Sequence, residues 1–146
     1  QRKHLAGAAF NVSSHYDTAI FNYFNGEQTI AFKQSVQQAN VLRYGENPHQ
    51  KGVFYGNLDE LFTIHNGKEL SYNNLVDLDA CWQLVCEFSG PAAAIIKHTN
   101  PAGCAEAETL KVAYEKALEC DPVSAFGGVI DGSSRAASAS LTWSVP

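Results

Sequence analysis

Residues 92–96 read AAAII, and the run stops against Lys97-His98. Small and branched apolar residues in an unbroken run leave no face for solvent, so a strand made of them is buried on both sides. The next residues, Thr99-Asn100-Pro101-Ala102-Gly103, are dense in loop formers. Two titratable side chains therefore stand where a buried strand ends. In open α/β sheets, ligands bind outside the carboxyl ends of strands, so the position is a candidate site.

The flanking segments agree with a layered α/β structure. Leu75, Leu78, Cys81, Trp82, Val85 and Phe88 recur at helical spacing, with Ser71 or Asn73 as N-cap and Gly90-Pro91 closing the segment. Leu110, Ala113, Ala117 and Leu118 mark a second helix, ended by Asp121-Pro122; after a loop over residues 123–128, Val129-Ile130 begin a strand. The order helix, strand, loop, helix, loop, strand predicts a βαβ unit with a parallel sheet. Upstream, short strands are expected around residues 53–55 and 61–65. Residues 42–50, LRYGENPHQ, form a loop.

At the start, Leu5, Ala9, Tyr16, Ala19, Ile20, Tyr23 and Phe24 also recur at helical steps. Asn11-Val12-Ser13-Ser14 offers a break and a fresh N-cap, which predicts one broken helix or two short ones. Past Gly26 a Gln-rich stretch reads as a boundary, with Ile30-Ala31-Phe32 as a short candidate strand. From Asp131 to Pro146 the chain is low in complexity, and an exposed, poorly ordered tail is expected.

Composition excludes several classes. The 146 residues carry a net charge of −5 with no basic cluster, which argues against nucleic acid and against an anionic membrane surface. No apolar run approaches the ~20 residues that span a bilayer, and Gln1-Arg2-Lys3-His4 lacks the apolar region of a secretory signal. The expectation is a soluble, cytoplasmic chain. The cysteines Cys81, Cys86, Cys104 and Cys120 are then expected to be reduced and mostly core residues, and their spacing completes no zinc site. The chain contains no methionine, so residue 1 is not a translation start, and a fragment, a processed chain or a misread frame is expected.

Three constellations could carry chemistry. Histidine exchanges a proton near neutral pH, and lysine stabilises developing negative charge, so Lys97 and His98 suit a proton-transfer step. Position alone favours a solvated strand end and a loop cap over a reactive pair. Arg43-Tyr44 offers a planar cation for a phosphate and a ring for stacking, although an ion pair and a packed tyrosine fit the same dipeptide. The pair Gly127-Gly128 brings backbone amides near a ligand, or simply turns the chain into a strand. Neither G-x-G-x-x-G nor a P-loop pattern is present.

The ordered strings LRYGENPHQ, KELSYNNLVDLDAC, AAIIKHTNPAGCA and DPVSAFGG resemble the bifunctional purine-biosynthesis family that joins AICAR transformylase to IMP cyclohydrolase. The resemblance implies an α/β/α layered domain, partial in this chain and similar to the cytidine deaminase fold. It divides the chain into the end of the cyclohydrolase domain with a linker over residues 1–38, the start of the transformylase domain over 39–130, and a divergent tail over 131–146. The implied reaction transfers a formyl group from the cosubstrate 10-formyltetrahydrofolate to the amine of AICAR, without a metal. Carried over by residue, His98 is the proton acceptor, Lys97 the transition-state stabiliser, Arg43, Tyr44 and Gly127 nucleotide contacts, and Asn100 a candidate for orienting the reacting groups. The family's homodimeric assembly is implied as well. The cyclohydrolase catalytic residues are expected upstream of Gln1 and the remaining folate and nucleotide contacts beyond Ile130, so a non-catalytic nucleotide-binding or inert fragment is the alternative. A zinc deaminase is excluded because His98-Thr99-Asn100 lacks the glutamate of the H-x-E signature.

Overall fold

The computed structural model describes residues 1–28, 31–63 and 65–133. They fall into two units: residues 1–40 with Phe54–Leu58, and Val41–Val53 with the residues from Asp59 onward.

The first unit is built on helix α1, Arg2–Asn25, which runs unbroken through the predicted break. Ser13 and Ser14 donate to the carbonyls of Phe10 and Asn11, and Thr18 donates to Ser14, so these hydroxyls bond back along the helix instead of capping a new one. Gly26 ends α1 at φ 55°. The following segment returns along α1: Asn22 Nδ2 donates to Lys33 O (3.0 Å), His15 Nδ1 lies 2.9 Å from Ser35 Oγ, and the Lys33 ammonium sits 4.3 Å from the Phe21 ring centre. Ala31 and Phe32 form no strand, and Ile30 lies outside the described residues. No residue of α1 is buried within the chain, despite its apolar content.

Strands β1 (Ala39–Val41) and β2 (Val53–Tyr55) pair as a two-stranded ribbon, through which the division between the units passes. A one-turn helix, α2 (Leu58–Leu61), stands where the sequence predicts the start of a strand over 61–65; Ile64 lies outside the described residues. Asp59 and Glu60 in its first turn suit a helix start, and they are poor strand formers.

The second unit holds helix α3 (Tyr72–Cys86), strands β3 (Ala92–Lys97) and β4 (Asn100–Glu106), helices α4 (Leu110–Cys120) and α5 (Pro122–Ala125), and strand β5 (Val129–Ser133). Ser71 caps α3 through a reciprocal capping box with Asn74, and Thr109 caps α4. The three strands lie in the order β4-β3-β5, and every pairing is antiparallel, which corrects the predicted parallel sheet. The reason is a strand hidden in the expected loop. Pro101 and Gly103 read as loop formers, yet β4 is an edge strand, where a proline is tolerated. Because β4 and β5 both oppose β3, they run parallel to each other. The crossover unit is thus β4-α4-β5, with β3 inserted between its strands.

Strand β3 is the centre of the layers. Ala94 and Ile96 pack with Leu78, Cys81 and Val85 of α3, while Ala93 and Ile95 pack with Ala113 and Ala117 of α4. The domain is therefore α/β, with a helix on each face of the sheet. Gly103 lets α4 approach closely, since a Cβ there would run into the Ala117 carbonyl. Of the cysteines, Cys81 alone is fully buried; Cys104 is half-buried and Cys86 and Cys120 are exposed, so most are not core residues, contrary to the expectation.

Strand β5 extends to Ser133, into the segment expected to be tail; residues 134–146 lie outside the described residues. Asp131 in β5 is fully buried on the α3 side, opposite Ala94. Its Oδ1 accepts from Gly132 N at 2.7 Å, and its Oδ2 has no hydrogen-bond partner among the described residues. Burial raises its pKa above the ordinary carboxylate value, and burial first, then the Asp131 charge, pushes the Cys81 thiol up to about 12.

Two outcomes follow from this packing. Gly103→Ala destabilises the fold by about 1–3 kcal/mol, read by urea unfolding. Asp131 binds its proton more tightly folded than unfolded, so stability falls as pH rises from the ordinary carboxylate pKa through the raised one. Asp131→Asn flattens that fall in unfolding curves taken across the same range; an unchanged slope would show that Asp131 is ionised in the folded chain.

Candidate functional site

Strand β3 ends at Lys97, and Lys97 pairs with Asn100 at the start of β4. Only His98 and Thr99 lie between, so the expected loop is a two-residue hairpin turn. Both have positive φ, 51° and 62°. That is the backbone of a type I′ turn, which normally selects Asn-Gly. A β-branched threonine in this region is strained. Just before the turn the ladder shifts by one residue between Ile95 and Ile96, and the resulting bulge at Ala102 adds local twist.

The turn is held from two sides. Lys97 Nζ donates to the Phe126 carbonyl at 2.9 Å, and Thr99 N donates to Asp77 Oδ1 of α3 at 2.8 Å. Within the turn, Thr99 Oγ1 and Asn100 Nδ2 both donate to the His98 carbonyl, at 2.6 and 2.7 Å. Lys97 is half-buried, while His98 and Asn100 are exposed. An ammonium carries three donors, so Lys97 keeps two beyond its bond to Phe126.

Gly127 follows Phe126 with φ 74°, in the short connection from α5 to β5. Its neighbour Gly128 lies so close to β3 that a Cβ would sit 2.9 Å from the Ile96 carbonyl. The Gly127 connection is thereby brought against the end of β3. Lys97, His98, Asn100 and Gly127 form one group.

Arg43 and Tyr44 form another. Arg43 Nη2 donates to the Tyr44 hydroxyl at 3.0 Å, and its guanidinium carbon lies 4.7 Å from the Tyr44 ring centre. The Ser71 hydroxyl first, and the Arg43 guanidinium second, hold the Tyr44 phenol below its ordinary pKa. Arg43 N donates to Leu70 O (2.9 Å) and Tyr72 N donates to Tyr44 O (3.1 Å), which fixes the pair beside the start of α3. An open cleft of about 550 Å³ begins one residue further on, lined by Gly45, Glu46, Gln50, Lys51, Gly52, Val53 and Tyr72. His49 does not line it, and Asn73 Nδ2 donates to Glu46 O at 2.9 Å.

The two groups share a scaffold rather than a direct bond. Helix α3 carries Tyr44 at its first residue and the His98 turn at Asp77, about 7.5 Å further along its axis. Sequence reasoning passed over Asp77 and the Phe126 carbonyl. A backbone carbonyl leaves no trace in a sequence, but Asp77 stands four residues before the core residue Cys81, an acid on the sheet-facing side of a helix, and that spacing was a usable signal. Among the described residues, no cluster of three or more His, Cys, Asp or Glu side chains forms a metal site. Nor is any described helix long and apolar enough to cross a membrane.

The chain belongs to the AICARFT/IMPCHase bienzyme family, whose model matches residues 1–140. The match runs past Ile130 into the segment expected to diverge. The bifunctional purine biosynthesis protein PurH of Bacteroides thetaiotaomicron is 54% identical over 130 residues, covering 89% of this chain and 26% of the relative. PurH of Rhodospirillum rubrum is 48% identical over 144 residues (88% and 26%), and PurH of Desulfitobacterium hafniense 48% over 146 (88% and 28%). The chain thus spans about a quarter of the length of these relatives.

The strain in the turn is open to test. His98→Asn combined with Thr99→Gly supplies the residues a type I′ turn prefers, and raises stability by about 1–2 kcal/mol in chemical denaturation. No gain would mean that the turn is unstrained.

Proposed function

We propose that this chain carries the reacting end of an AICAR transformylase site, in a protein that transfers the formyl group of 10-formyltetrahydrofolate to the AICAR amine in purine biosynthesis. The observation that carries the reading is the strand-end turn, where Lys97 and His98 stand side by side at the exit of a strand buried on both faces. The family match and the 54% identity to a PurH protein support it.

An amine conjugated with an aromatic ring is a weak nucleophile, and it needs a base as it attacks. His98, exposed at the tip of the turn, is that base. The amine nitrogen bonds to the formyl carbon, its proton passes to His98, and the formyl carbon separates from the folate nitrogen, which takes up a proton as it leaves. Lys97 uses its remaining donors to stabilise the oxyanion of the tetrahedral intermediate. Arg43 and Tyr44 take the phosphate and the flat ring, with Gly127 a backbone contact and Asn100 orienting the reacting groups. The folate, as cosubstrate, would bring its own formyl group, so the chain's residues need supply only acid-base and electrostatic help. The same reading makes the whole protein a cytosolic homodimer acting on small molecules, with no nucleic acid or membrane as partner. Its domains divide near residue 38, with the cyclohydrolase before and the transformylase after.

The limited share of each relative that the chain covers favours a second reading: the chain alone binds AICAR without turnover. Formyl transfer is measured in the full-length protein and in the chain. In the full-length protein His98→Ala lowers kcat by about 10²-fold or more and Lys97→Ala by a similar factor. Arg43→Ala mainly weakens AICAR affinity, read by calorimetry. Full activity of His98→Ala would overturn the assignment, and affinity without turnover in the chain alone identifies a partial site.

A further inference from the structure

We infer that Asp77 is a positioning residue for His98: by holding the Thr99 amide it keeps the His98-Thr99 turn in the left-handed conformation that sets the imidazole at the strand end. The inference rests on the catalytic reading of His98 given above.

The turn is improbable on local grounds. Both residues have positive φ, neither is glycine, and the second is β-branched. A hairpin that merely joined β3 to β4 would be better served by Asn-Gly. Something outside the turn must hold it, and the contact present is Thr99 N to Asp77 Oδ1 at 2.8 Å. A carboxylate accepting a backbone amide makes a charge-assisted bond, roughly twice as strong as a neutral one.

Asp77 is itself fixed. It is half-buried, one residue before buried Leu78 and four before buried Cys81. Cys81 Sγ lies 3.4 Å from the Ala94 carbonyl and 3.8 Å from that of Val129, so this face of α3 is seated on β3 and β5. The carboxylate is referenced to the same sheet that carries Lys97. On the other side of the turn, Lys97 Nζ is held by the Phe126 carbonyl. His98 sits between these two restraints, with its carbonyl further engaged by Thr99 and Asn100. Helix α3 also carries Tyr44 through the Tyr72 amide, so one rigid element spaces the ring-binding pair from the base.

The test uses the full-length protein, with His98→Ala as reference. Asp77→Ala lowers kcat about 10- to 100-fold, as expected for a displaced catalytic group, with the KM for AICAR within about threefold. Adding Thr99→Gly, which takes the left-handed backbone without the tie, recovers most of the lost kcat. In parallel, amide exchange at Thr99 is followed in Asp77→Asn, whose neutral acceptor holds the amide more weakly: exchange speeds up and kcat falls with it. Unchanged kcat in Asp77→Ala, failure of Thr99→Gly to restore it, or exchange and kcat that do not move together would overturn the role of Asp77 while His98→Ala remained inactive. Activity retained in His98→Ala would instead remove the catalytic reading itself.

Discussion

The burial of β3 on both faces organises the second unit. Alternate residues of this strand face opposite helices, Ala94 and Ile96 meeting α3 while Ala93 and Ile95 meet α4. Small side chains at positions 92–94 let both helices come close. Gly103 on the neighbouring strand does the same by leaving room for the Ala117 carbonyl. The burial stops at Ile96, and the chain turns at His98-Thr99. Lys97 and His98 owe their position to that stop.

The turn at this stop trades local preference for placement. Its backbone would suit Asn-Gly, but it presents His-Thr, and the surrounding elements supply what the turn residues do not. Asp77 comes from the helix on one face and the Phe126 carbonyl from the connection that follows α4 and α5, so the ties come from both sides of the turn in the chain. Strained residues persist only where the surrounding structure over-determines them, as it does here. The Arg43-Tyr44 loop is tied to the same α3, which makes this helix the common reference for both groups.

Asp131 is a different departure from local preference. A carboxyl group buried on the α3 side of the sheet, with Oδ2 unpartnered among the described residues, opposes the folded state when ionised. It lies near Cys81, whose own thiol is held protonated by burial. Neither group is hydrogen-bonded to Lys97, His98 or Thr99 among the described residues.

Much of this was legible in the sequence. The AAAII run announced the central strand, Ser71 and the Leu78-Cys81-Val85 spacing announced α3, and Lys97-His98 announced where the buried strand ends, because burial and helical periodicity are written in residue type and spacing. The ordered motifs carried the family. What the sequence left undecided was everything that depends on partners distant along the chain. Pro101 and Gly103 looked like loop residues because only an edge position and a close helix make them strand residues. The sheet read as parallel because β4 was hidden in that loop. The serines of α1 are a separate, local case: the same hydroxyl can cap a new helix or bond back three residues along an existing one, and residue type does not choose between them. The hold of Asp77 on Thr99 spans 22 positions, and the partner of Lys97 is a backbone carbonyl 29 positions away. Local residue types determined which segments were buried and which groups could react, whereas only the packed structure decided strand direction and the geometry of the turn, because those are fixed by hydrogen bonds between groups that the chain brings together only on folding.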